Sequence, residues 1–459
     1  MKKSEAPARA TLKKRRFRMS PTQIIALAFA GIILVGAVLL SLPAASRSGT
    51  SCGFFPALFT ATSATCVTGL VMFDTWTQWS AFGQVVILCL IEIGGLGFMS
   101  AASMVVFLLR KKAGLKQRMV MAQALSINDL SGVVKLQKLV IFGSLSVQAA
   151  GALILFLRFL PEYGAYRAAI WGVFHSVSAF CNAGFDIFGV IAPGQSVIPF
   201  NNDPVVCITL ALLITVGGLG FFVWEEVVRV RKFKKFSVYT KLVLLVTLGI
   251  LLVGTGVTLA LEWSNPQTLG PMPVWQKILN AFFQTVTLRT AGFAGIDQGS
   301  LTDATKGISM IVMFIGGSSG STAGGFKTVS FVVLLLFIWA KARGKSNVHV
   351  FHRSIPSEKA TDALSIAGIM LVLVLVGGIF ISATSQVSLT DALFESVSAI
   401  ATVGLTTGIT GSLSVASQIL IIAFMYFGRV GILTISLGFL IGNRAEDRIR
   451  YADTNLLIG

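Results

Sequence analysis

The chain alternates between long apolar runs and shorter stretches that are rich in Gly, Ser and Thr. An apolar run of about 20 residues is long enough to cross a bilayer as a helix. The pattern predicts eight such spans, at about 21–42, 81–109, 136–160, 205–230, 238–261, 308–340, 362–383 and 416–441. Within each successive pair of spans lies a stretch that is too short and too polar to cross. These four stretches, which we expect to re-enter the membrane, are 54–73, 168–186, 274–296 and 389–410.

A recurrent sequence marks each re-entrant stretch. It is FTATSATCVTGL at 59–70, FHSVSAFCNAGF at 174–185, FFQTVTLRTAGF at 282–293 and FESVSAIATVGL at 394–405. In every copy a Phe precedes a Gly by ten positions. These glycines, spaced 115, 108 and 112 residues apart, are Gly69, Gly184, Gly292 and Gly404. A second glycine patch follows each of them, beginning near Gly94, Gly217, Gly316 and Gly428. Self-similarity at a fixed period indicates internal repeats.

Irregular backbone at membrane depth is tolerated only where protein buries it or water lines it. The four stretches are therefore predicted to face one another. The predicted fold class is an all-α integral membrane protein with four membrane–pore–membrane repeats, that is, eight transmembrane helices and four re-entrant pore loops, with pseudo-fourfold symmetry around one ion pore. The predicted segments are a basic N-terminal tail at 1–20, repeats at 21–112, 135–232, 238–343 and 360–441, and a C-terminal tail at 442–459.

Composition and charge agree with a membrane protein. Of the 459 residues, 54% are hydrophobic and 12% are charged, whereas soluble domains carry about 25% charged residues. The net charge is +18, and 29 of the 37 Lys and Arg residues fall in six stretches that share one side of the predicted membrane. This positive-inside asymmetry predicts a multi-pass protein of the cytoplasmic membrane with both termini in the cytoplasm. It favours contact with anionic lipid over a nucleic-acid role.

The glycines suit the passage of a cation. Gly adopts positive φ and leaves no Cβ in the way, so that backbone carbonyls can turn toward an axis. Rings of carbonyls replace the hydration shell of K⁺, and helix C-termini aimed at the axis add partial negative charge. Asp74, Asp186 and Asp297 follow three of the glycines and either attract cations at the mouth or solvate the loops. The candidate filter comprises the four glycines and the two residues before each, namely Val67, Thr68, Asn182, Ala183, Thr290, Ala291, Thr402 and Val403.

The pattern resembles the superfamily of K⁺ transporters that includes the bacterial Trk and Ktr membrane subunits and the plant HKT proteins. The likeness extends from about Pro21 to Gly442, and the length and span count are most similar to the Ktr membrane subunit, which translocates the ion. The resemblance implies gated K⁺ uptake, with K⁺ as the transported ion and no covalently bound cofactor, and it leaves stimulation by Na⁺ open. A Ser in place of the first filter glycine accompanies Na⁺ passage in that superfamily, so Gly69 favours K⁺. It also implies a homodimer on a cytoplasmic ring of nucleotide-binding (RCK-type) regulatory subunits.

The predicted span 308–340 contains a dense run of small residues through which an unbroken helix is unfavourable. The resemblance implies an intramembrane loop at 316–327 that acts as a gate. The alternative is a tight helix-packing face of small residues. The candidate gate residues are Gly316, Gly317, Ser318, Ser319, Gly320, Ser321, Thr322, Ala323, Gly324, Gly325 and Lys327.

Two charged residues lie at membrane depth beside the second glycine patches. An intramembrane Arg is a functional candidate because burying a lone cation is expensive. The resemblance implies that Arg429 lies below the filter and helps to set the barrier to conduction. Our own hypothesis is that Glu92 or loop oxygens neutralise Arg429; the alternative is a purely structural ion pair. Arg289 lies inside the third recurrent sequence. We expect it to point away from the axis, with Glu395 as a candidate partner.

Other classes of function are alternatives to this interpretation. The alternatives within transport are the K⁺-binding subunit of an ATP-driven K⁺ pump, a Na⁺-permeable member of the same superfamily, and a symporter for organic solutes. The five cysteines show no metal-ligand spacing, and no HExxH motif is present in the sequence. We therefore predict no catalytic residues and no resident metal, and a protein that is not an enzyme.

Overall fold

The computed structural model describes residues 21–97, 133–345, 348–351 and 353–431, and within these ranges the chain is mainly helical. Its α-helices are α1 (Pro21–Ser41), α2 (Phe54–Cys66), α3 (Thr75–Gln78), α4 (Ala81–Leu96), α5 (Val133–Phe180), α6 (Pro204–Leu219), α7 (Phe221–Val230), α8 (Val238–Glu262), α9 (Val274–Thr287), α10 (Asp303–Phe314), α11 (Thr328–Ala342), α12 (Ser357–Ser385), α13 (Leu389–Ile400) and α14 (Val415–Val430). Short 3₁₀ turns lie at Pro43–Ala45, Phe188–Val190, Ile198–Phe200, Phe233–Lys235 and Thr410–Ser412. The predicted tails 1–20 and 442–459 lie outside the described residues.

One small sheet departs from the predicted all-α class. Strands β1 (Val348–Val350) and β2 (Arg353–Ile355) pair antiparallel, with Val348 opposite Ile355. This hairpin lies in the polar link between α11 and α12, between two of the predicted spans. It therefore leaves the helical character of the apolar regions unchanged.

Four helices of the described ranges are long and apolar enough to cross a membrane, namely α1, α5, α8 and α12. Helices α6 and α7 make a fifth candidate if counted together, although they are bent by 93° at the intervening break. Large apolar side chains on these helices face outward; Leu252 is 66% exposed and Val376 is 60% exposed. An apolar surface of this kind matches contact with lipid.

Two of the remaining predicted spans are described only in part. The described residues cover the first half of 81–109 and most of 416–441. The span 308–340 is divided into α10 and α11 by a non-helical segment, residues 315–327, which we call the inner loop. The count of eight spans and the four-repeat boundaries therefore stay predictions.

The recurrent sequences lie on short helices. These are α2, α9, α13 and the last part of α5, which is separated from the rest of α5 by non-helical backbone at Gly164 (φ 75°). Helix α2 packs against α1, α9 against α8, and α13 against α12. Each half-length helix thus lies beside the long helix that precedes it. Its C-terminal end brings the glycine that follows toward the centre of the molecule.

Candidate ion-conduction site

The four glycines of the recurrent sequences form a closed ring. A Cβ placed on Gly69 would lie 3.2 Å from the Cα of Gly184, and one on Gly184 would lie 2.8 Å from the Cα of Gly292. A Cβ on Gly292 would lie 3.3 Å from the Cα of Gly404, and one on Gly404 would lie 2.9 Å from the Cα of Gly69. Residues separated by more than a hundred positions in the sequence therefore meet at one centre. No side chain fits between them without displacing backbone.

The backbone φ angles follow the same pattern in all four turns. The residue two before each glycine has a left-handed conformation, with φ between 52° and 61°, and these residues are Val67, Asn182, Thr290 and Thr402. The glycines themselves have φ between 69° and 99°. A left-handed conformation is uncommon outside Gly and is unfavourable for a β-branched residue such as Val or Thr. Four such residues at equivalent positions indicate that the surrounding packing holds the turns in place.

All the other predicted filter residues accompany the ring. Side chains preceding the glycines are buried, with exposures of 0–2%: Val67, Thr68, Asn182, Ala183, Thr290, Ala291, Thr402 and Val403. The hydroxyls of Thr68, Thr290 and Thr402 are buried and have no protein hydrogen-bond partner within the described part of the chain. Buried hydroxyls normally find a partner. Oxygen atoms without one, beside a ring of glycines, suit a site that binds a cation or water.

Serines on the short helices fix the glycine turns. The Ser63 hydroxyl accepts a hydrogen bond from the Gly69 amide at 3.0 Å, and the Ser398 hydroxyl accepts one from the Gly404 amide at 3.0 Å. Ser178, at the equivalent position, instead donates to the carbonyl oxygen of Phe185 at 2.7 Å. The three serines that recur in the sequence therefore each bind the turn of their own copy.

The second glycine patches have a packing role that the sequence analysis did not identify. A Cβ on Gly94, Gly217 or Gly428 would collide with a backbone carbonyl oxygen, that of Thr65, Phe180 or Ile400 respectively. Each of these carbonyls belongs to the residue four positions before a ring glycine. The following helix therefore approaches the end of the short helix closely, which only Gly permits. In the sequence, the sign of this packing role is the second glycine patch that recurs after each ring glycine.

A cavity of about 300 Å³ opens on one side of the ring and is lined by the four glycines together with Asp74, Asp186 and Asp297. We call it the mouth cavity. The acids also hold loop backbone: Asp74 accepts from the amide of Thr77 at 2.8 Å, Asp186 from that of Phe188 at 3.2 Å and Asp297 from that of Gly299 at 3.2 Å. The geometry of the three acids is therefore compatible with both predicted roles, namely attracting cations at the mouth and solvating the loops.

Asp186 lies in the non-helical loop after the second glycine, outside the spanning helices. Desolvation, followed by the nearby charge of Asp74, raises the pKa of this carboxyl to about 7. Desolvation disfavours the ionised form, and a second carboxylate adds repulsion. The charge of the mouth cavity therefore changes near neutral pH.

The inner loop lies against the other side of the ring. Its ends are joined where Thr328 donates from its hydroxyl to the Gly316 carbonyl at 2.8 Å and from its amide to the Gly317 carbonyl at 3.1 Å. Its middle bonds to neighbouring helices: the Ser318 amide donates to the Gly218 carbonyl at 3.1 Å, and the Tyr239 hydroxyl donates to the Ser319 carbonyl at 2.8 Å.

The remaining candidate gate residues are also placed by backbone contacts. The Phe221 amide donates to the Gly320 carbonyl at 2.8 Å, and the Ser321 hydroxyl donates to the Ser318 carbonyl at 2.6 Å. The Lys327 ammonium donates to the carbonyls of Ala323 at 2.8 Å and Gly324 at 3.4 Å. A Cβ on Gly325 would lie 2.8 Å from the carbonyl oxygen of Ala401, beside the fourth glycine turn. The loop is therefore in contact with the ring region rather than forming a helix-packing face.

Arg429 reaches backbone oxygens of two segments. Its guanidinium donates to the carbonyl of Thr322 in the inner loop and to those of Gly94 and Gly95, the last at 3.1 Å. Of the two kinds of partner considered, carbonyl oxygens are the ones it contacts. Glu92 instead accepts hydrogen bonds from Gln148 at 2.9 Å and from the Cys181 thiol at 3.3 Å. Within the described ranges no ion pair joins Arg429 and Glu92.

The expectation that Arg289 pairs with Glu395 is wrong. Arg289 is 7% exposed and donates to the Thr328 hydroxyl at 3.2 Å, beside the end of the inner loop. Glu395 accepts a hydrogen bond from Thr410 instead. The reason is positional: the third short helix brings Arg289 to α11, whereas Glu395 faces the turn that follows its own glycine.

These features define a class of protein, namely a helical membrane protein with apolar spans and four glycine turns that converge on one buried centre. Comparison with known proteins identifies the family. The chain belongs to the TrkH family of cation transport proteins, whose profile matches residues 9–447. This confirms the superfamily predicted from the recurrent sequences, and such a family is one of transporters rather than enzymes.

Full-length relatives are similar to this chain. The Ktr system potassium uptake protein B of Bacillus subtilis is 40% identical over 442 residues, covering 96% of this chain and 97% of the relative. The potassium/sodium uptake protein NtpJ of Enterococcus hirae is 39% identical over 454 residues, covering 98% and 99%. A Ktr system potassium uptake protein B from Vibrio alginolyticus is 36% identical over 449 residues, covering 97% of each.

A solved structure has the same fold. The potassium transporter TrkH from Vibrio parahaemolyticus superposes with a TM-score of 0.72 at 17% identity, and the match covers 93% of this chain and 86% of that one. At this identity the likeness concerns the fold alone. Together with the apolar helices it supports a helical multi-pass membrane protein.

Proposed function

We propose that this protein carries K⁺ into the cell across the cytoplasmic membrane, as the ion-translocating subunit of a Ktr-type system. The observation that carries the proposal is the closed ring of Gly69, Gly184, Gly292 and Gly404. Carbonyl rings at such a constriction can replace the hydration shell of K⁺ without a fixed charge that would trap the ion. Membership of the cation transport family and the potassium uptake named for two of the relatives support it.

The proposed architecture has four membrane–pore–membrane repeats, each supplying one short helix and one glycine turn around a pseudo-fourfold axis. The repeats take the boundaries given above, and both termini lie in the cytoplasm. The similar left-handed backbone before each ring glycine supports equivalence of the four turns. In this arrangement the C-termini of the short helices direct partial negative charge toward the ion.

The proposed filter consists of the ring glycines and the two residues before each. The unpartnered hydroxyls of Thr68, Thr290 and Thr402 support a role as additional oxygen ligands below the carbonyls. The mouth cavity concentrates cations, because its three carboxylates lie beside the ring.

The inner loop is proposed as the gate, and Arg429 as a positive barrier beneath the ring. The contact of Arg429 with the Thr322 carbonyl supports both roles, since it places a guanidinium against the loop. A cation approaching this point meets like charge, and displacement of the loop would remove one of the oxygens that hold the guanidinium in place.

The proposed partners are a second copy of this chain and a cytoplasmic ring of nucleotide-binding, RCK-type regulatory subunits. Among the cytoplasmic faces available to the ring, the exposed residues Arg231, Lys232, Lys234 and Lys235 supply positive charge. In this proposal K⁺ is the transported ion, no cofactor is bound covalently, and stimulation by Na⁺ stays open.

Growth rescue tests the function. The gene is expressed in a host that lacks its own K⁺ uptake, together with the regulatory subunit. Growth on low K⁺ and uptake of Rb⁺ are the expected results. A protein that reaches the membrane in full length but restores neither growth nor Rb⁺ uptake would contradict the proposal.

A Na⁺-permeable transporter is the second candidate, because one full-length relative is named for potassium and sodium uptake. Competition separates the two. If K⁺ is strongly preferred, excess Na⁺ leaves Rb⁺ uptake undiminished; if the filter passes both ions, tracer Na⁺ enters at a comparable rate.

A further inference from the structure

Thr322 of the inner loop forms hydrogen bonds with three other segments of the chain. It is fully buried, and its amide donates to the Gly217 carbonyl of α6 at 3.3 Å. Its carbonyl accepts from Arg429 of α14. Its hydroxyl lies 3.2 Å from the carbonyl oxygen of Phe180 and 3.1 Å from Oδ1 of Asn182. One small side chain thus joins the proposed gate to the second glycine turn.

Asn182 belongs to the filter itself. It lies two residues before Gly184, has φ of 60°, and is 1% exposed. Its amide nitrogen donates to the carbonyl of Arg289 at 3.3 Å, in the third turn. The Asn182 side chain therefore connects the inner loop on one side with the next filter segment on the other. At the equivalent position of the first turn, the Val67 side chain has no polar atom with which to form such a connection.

The fourth turn is also in contact with the loop. A Cβ on Gly324 would collide with the Thr402 hydroxyl, and one on Gly325 would lie 2.8 Å from the Ala401 carbonyl oxygen. The loop therefore touches the second and fourth turns directly and reaches the third through Asn182. Packed contacts of this kind have discrete arrangements rather than continuous ones.

We propose that Thr322 is a positioning residue that couples the inner loop to the selectivity of the filter. While the loop is in place, the Thr322 hydroxyl holds Asn182, which in turn holds the third turn. When the loop moves, Asn182 loses this donor and the second and third turns are less constrained. The preference for K⁺ over Na⁺ then depends on the position of the loop. This inference rests on the proposed function of the ring as a filter.

The test uses the full-length protein, purified and reconstituted in vesicles of phosphatidylcholine and phosphatidylglycerol. Rb⁺ and Na⁺ fluxes are measured for the native chain and for Thr322→Val, Thr322→Ser and Thr255→Val. Val keeps the shape of Thr but lacks the hydroxyl, and Ser keeps the hydroxyl. Thr255→Val is the matched control, since the Thr255 hydroxyl bonds within α8, to the Leu251 carbonyl.

We expect Thr322→Val to raise the flux and to lower the Rb⁺ to Na⁺ flux ratio severalfold, with Thr322→Ser close to native. Thr255→Val is expected to leave the ratio unchanged. Combining Thr322→Val with Asn182→Leu should change the ratio little more than Asn182→Leu alone, because Asn182→Leu already removes the contact that Thr322→Val removes.

The possible failures are distinguishable. A native protein that moves no Rb⁺ in vesicles, whether or not the regulatory subunit is added, overturns the proposed function. A native protein that conducts, with a flux ratio that is the same in Thr322→Val as in the native chain, overturns only the coupling. Additive effects of Thr322→Val and Asn182→Leu also overturn it. If Thr322→Val does not fold, a Thr322→Ser protein with an altered ratio contradicts the assignment to the hydroxyl.

Discussion

The Ser63 hydroxyl lies 3.0 Å from the Gly69 amide nitrogen and accepts its hydrogen bond, which connects this filter glycine to the helix that precedes it. Ser398 and Gly404 repeat the contact at the same distance. The N–H of each of these glycines points toward the serine on the short helix. The carbonyl of the same peptide group, which belongs to the preceding residue, points the opposite way. A hydroxyl on the short helix thus helps to orient an oxygen toward the ion.

Replacing Ser63 or Ser398 by Ala removes this acceptor and leaves a buried amide without its partner. The expected cost is about 1 kcal/mol of folding free energy for each substitution, together with a lower K⁺ to Na⁺ flux ratio. Thermal unfolding of the purified protein and paired Rb⁺ and Na⁺ fluxes measure the two effects. Ser365→Ala is a suitable control, because the Ser365 hydroxyl is exposed and bonds only within α12. Unchanged selectivity in both filter variants would contradict the orienting role.

Substituting Gly69 by Ser should relax discrimination against Na⁺. A Cβ at this position would lie 2.6 Å from the Ala183 carbonyl oxygen, and the backbone there has φ of 99°. The added atoms must therefore displace a filter carbonyl. Gly249→Ser is the matched control, since a Cβ on Gly249 would meet nothing within 4 Å. Competition of Na⁺ with Rb⁺ uptake is the measurement, and equal discrimination in Gly69→Ser and native protein would count against the filter assignment.

Removing the charge of Arg429 should raise K⁺ flux. In Arg429→Ala the positive barrier is gone, and the inner loop loses a contact at the Thr322 carbonyl. We expect Rb⁺ flux in vesicles to increase severalfold, and Arg429→Lys, which keeps the charge, to stay nearer the native rate. Complete loss of flux by a variant that elutes as a folded protein would show that Arg429 is needed for conduction and would refute the barrier.

The charge of Asp186 should make transport sensitive to external pH. Because its pKa is raised to about 7, the carboxyl takes up a proton as pH falls through neutrality. The mouth cavity then loses negative charge, so the K⁺ concentration needed for half-maximal uptake should rise severalfold between pH 8 and pH 6. Asp186→Asn should show the weaker affinity at both pH values. A native-like pH dependence in this variant would assign the effect to another group.

Much of the fold could be predicted from local features. The apolar runs located α1, α5, α8 and α12, and the density of glycine at 316–325 indicated that α10 and α11 would not form one helix. Gly at the ring positions was identified from the recurrent sequence and its place between two apolar spans, and the absence of a Cβ permits its positive φ. The packing role of the second glycine patches could not be predicted. Three of these glycines contact a backbone carbonyl, a group that every residue has.

Partners of the charged residues could be predicted only in part: loop oxygens were one of the two alternatives for Arg429, and the structure shows one of them, the Thr322 carbonyl, as a partner. Arg289 bonds Thr328 rather than Glu395, and Glu92 bonds Gln148 and Cys181 rather than Arg429. A buried charge takes whichever polar atoms packing brings within reach. In the case of Arg429 these are carbonyl oxygens, which every residue possesses, so residue identity does not reveal them.

By itself the sequence determined that the chain is apolar and helical, that one motif occurs four times, and that each copy ends in a glycine able to turn sharply. These properties depend on local composition and on the conformational freedom of single residues. Only the tertiary structure decided that the four turns close into a ring, that Thr322 reaches Asn182 across 140 positions of chain, and that Arg429 reaches Gly94 across 335. Contacts over such separations depend on how helices pack, because a hydrogen bond forms only when folding brings its two atoms to about 3 Å.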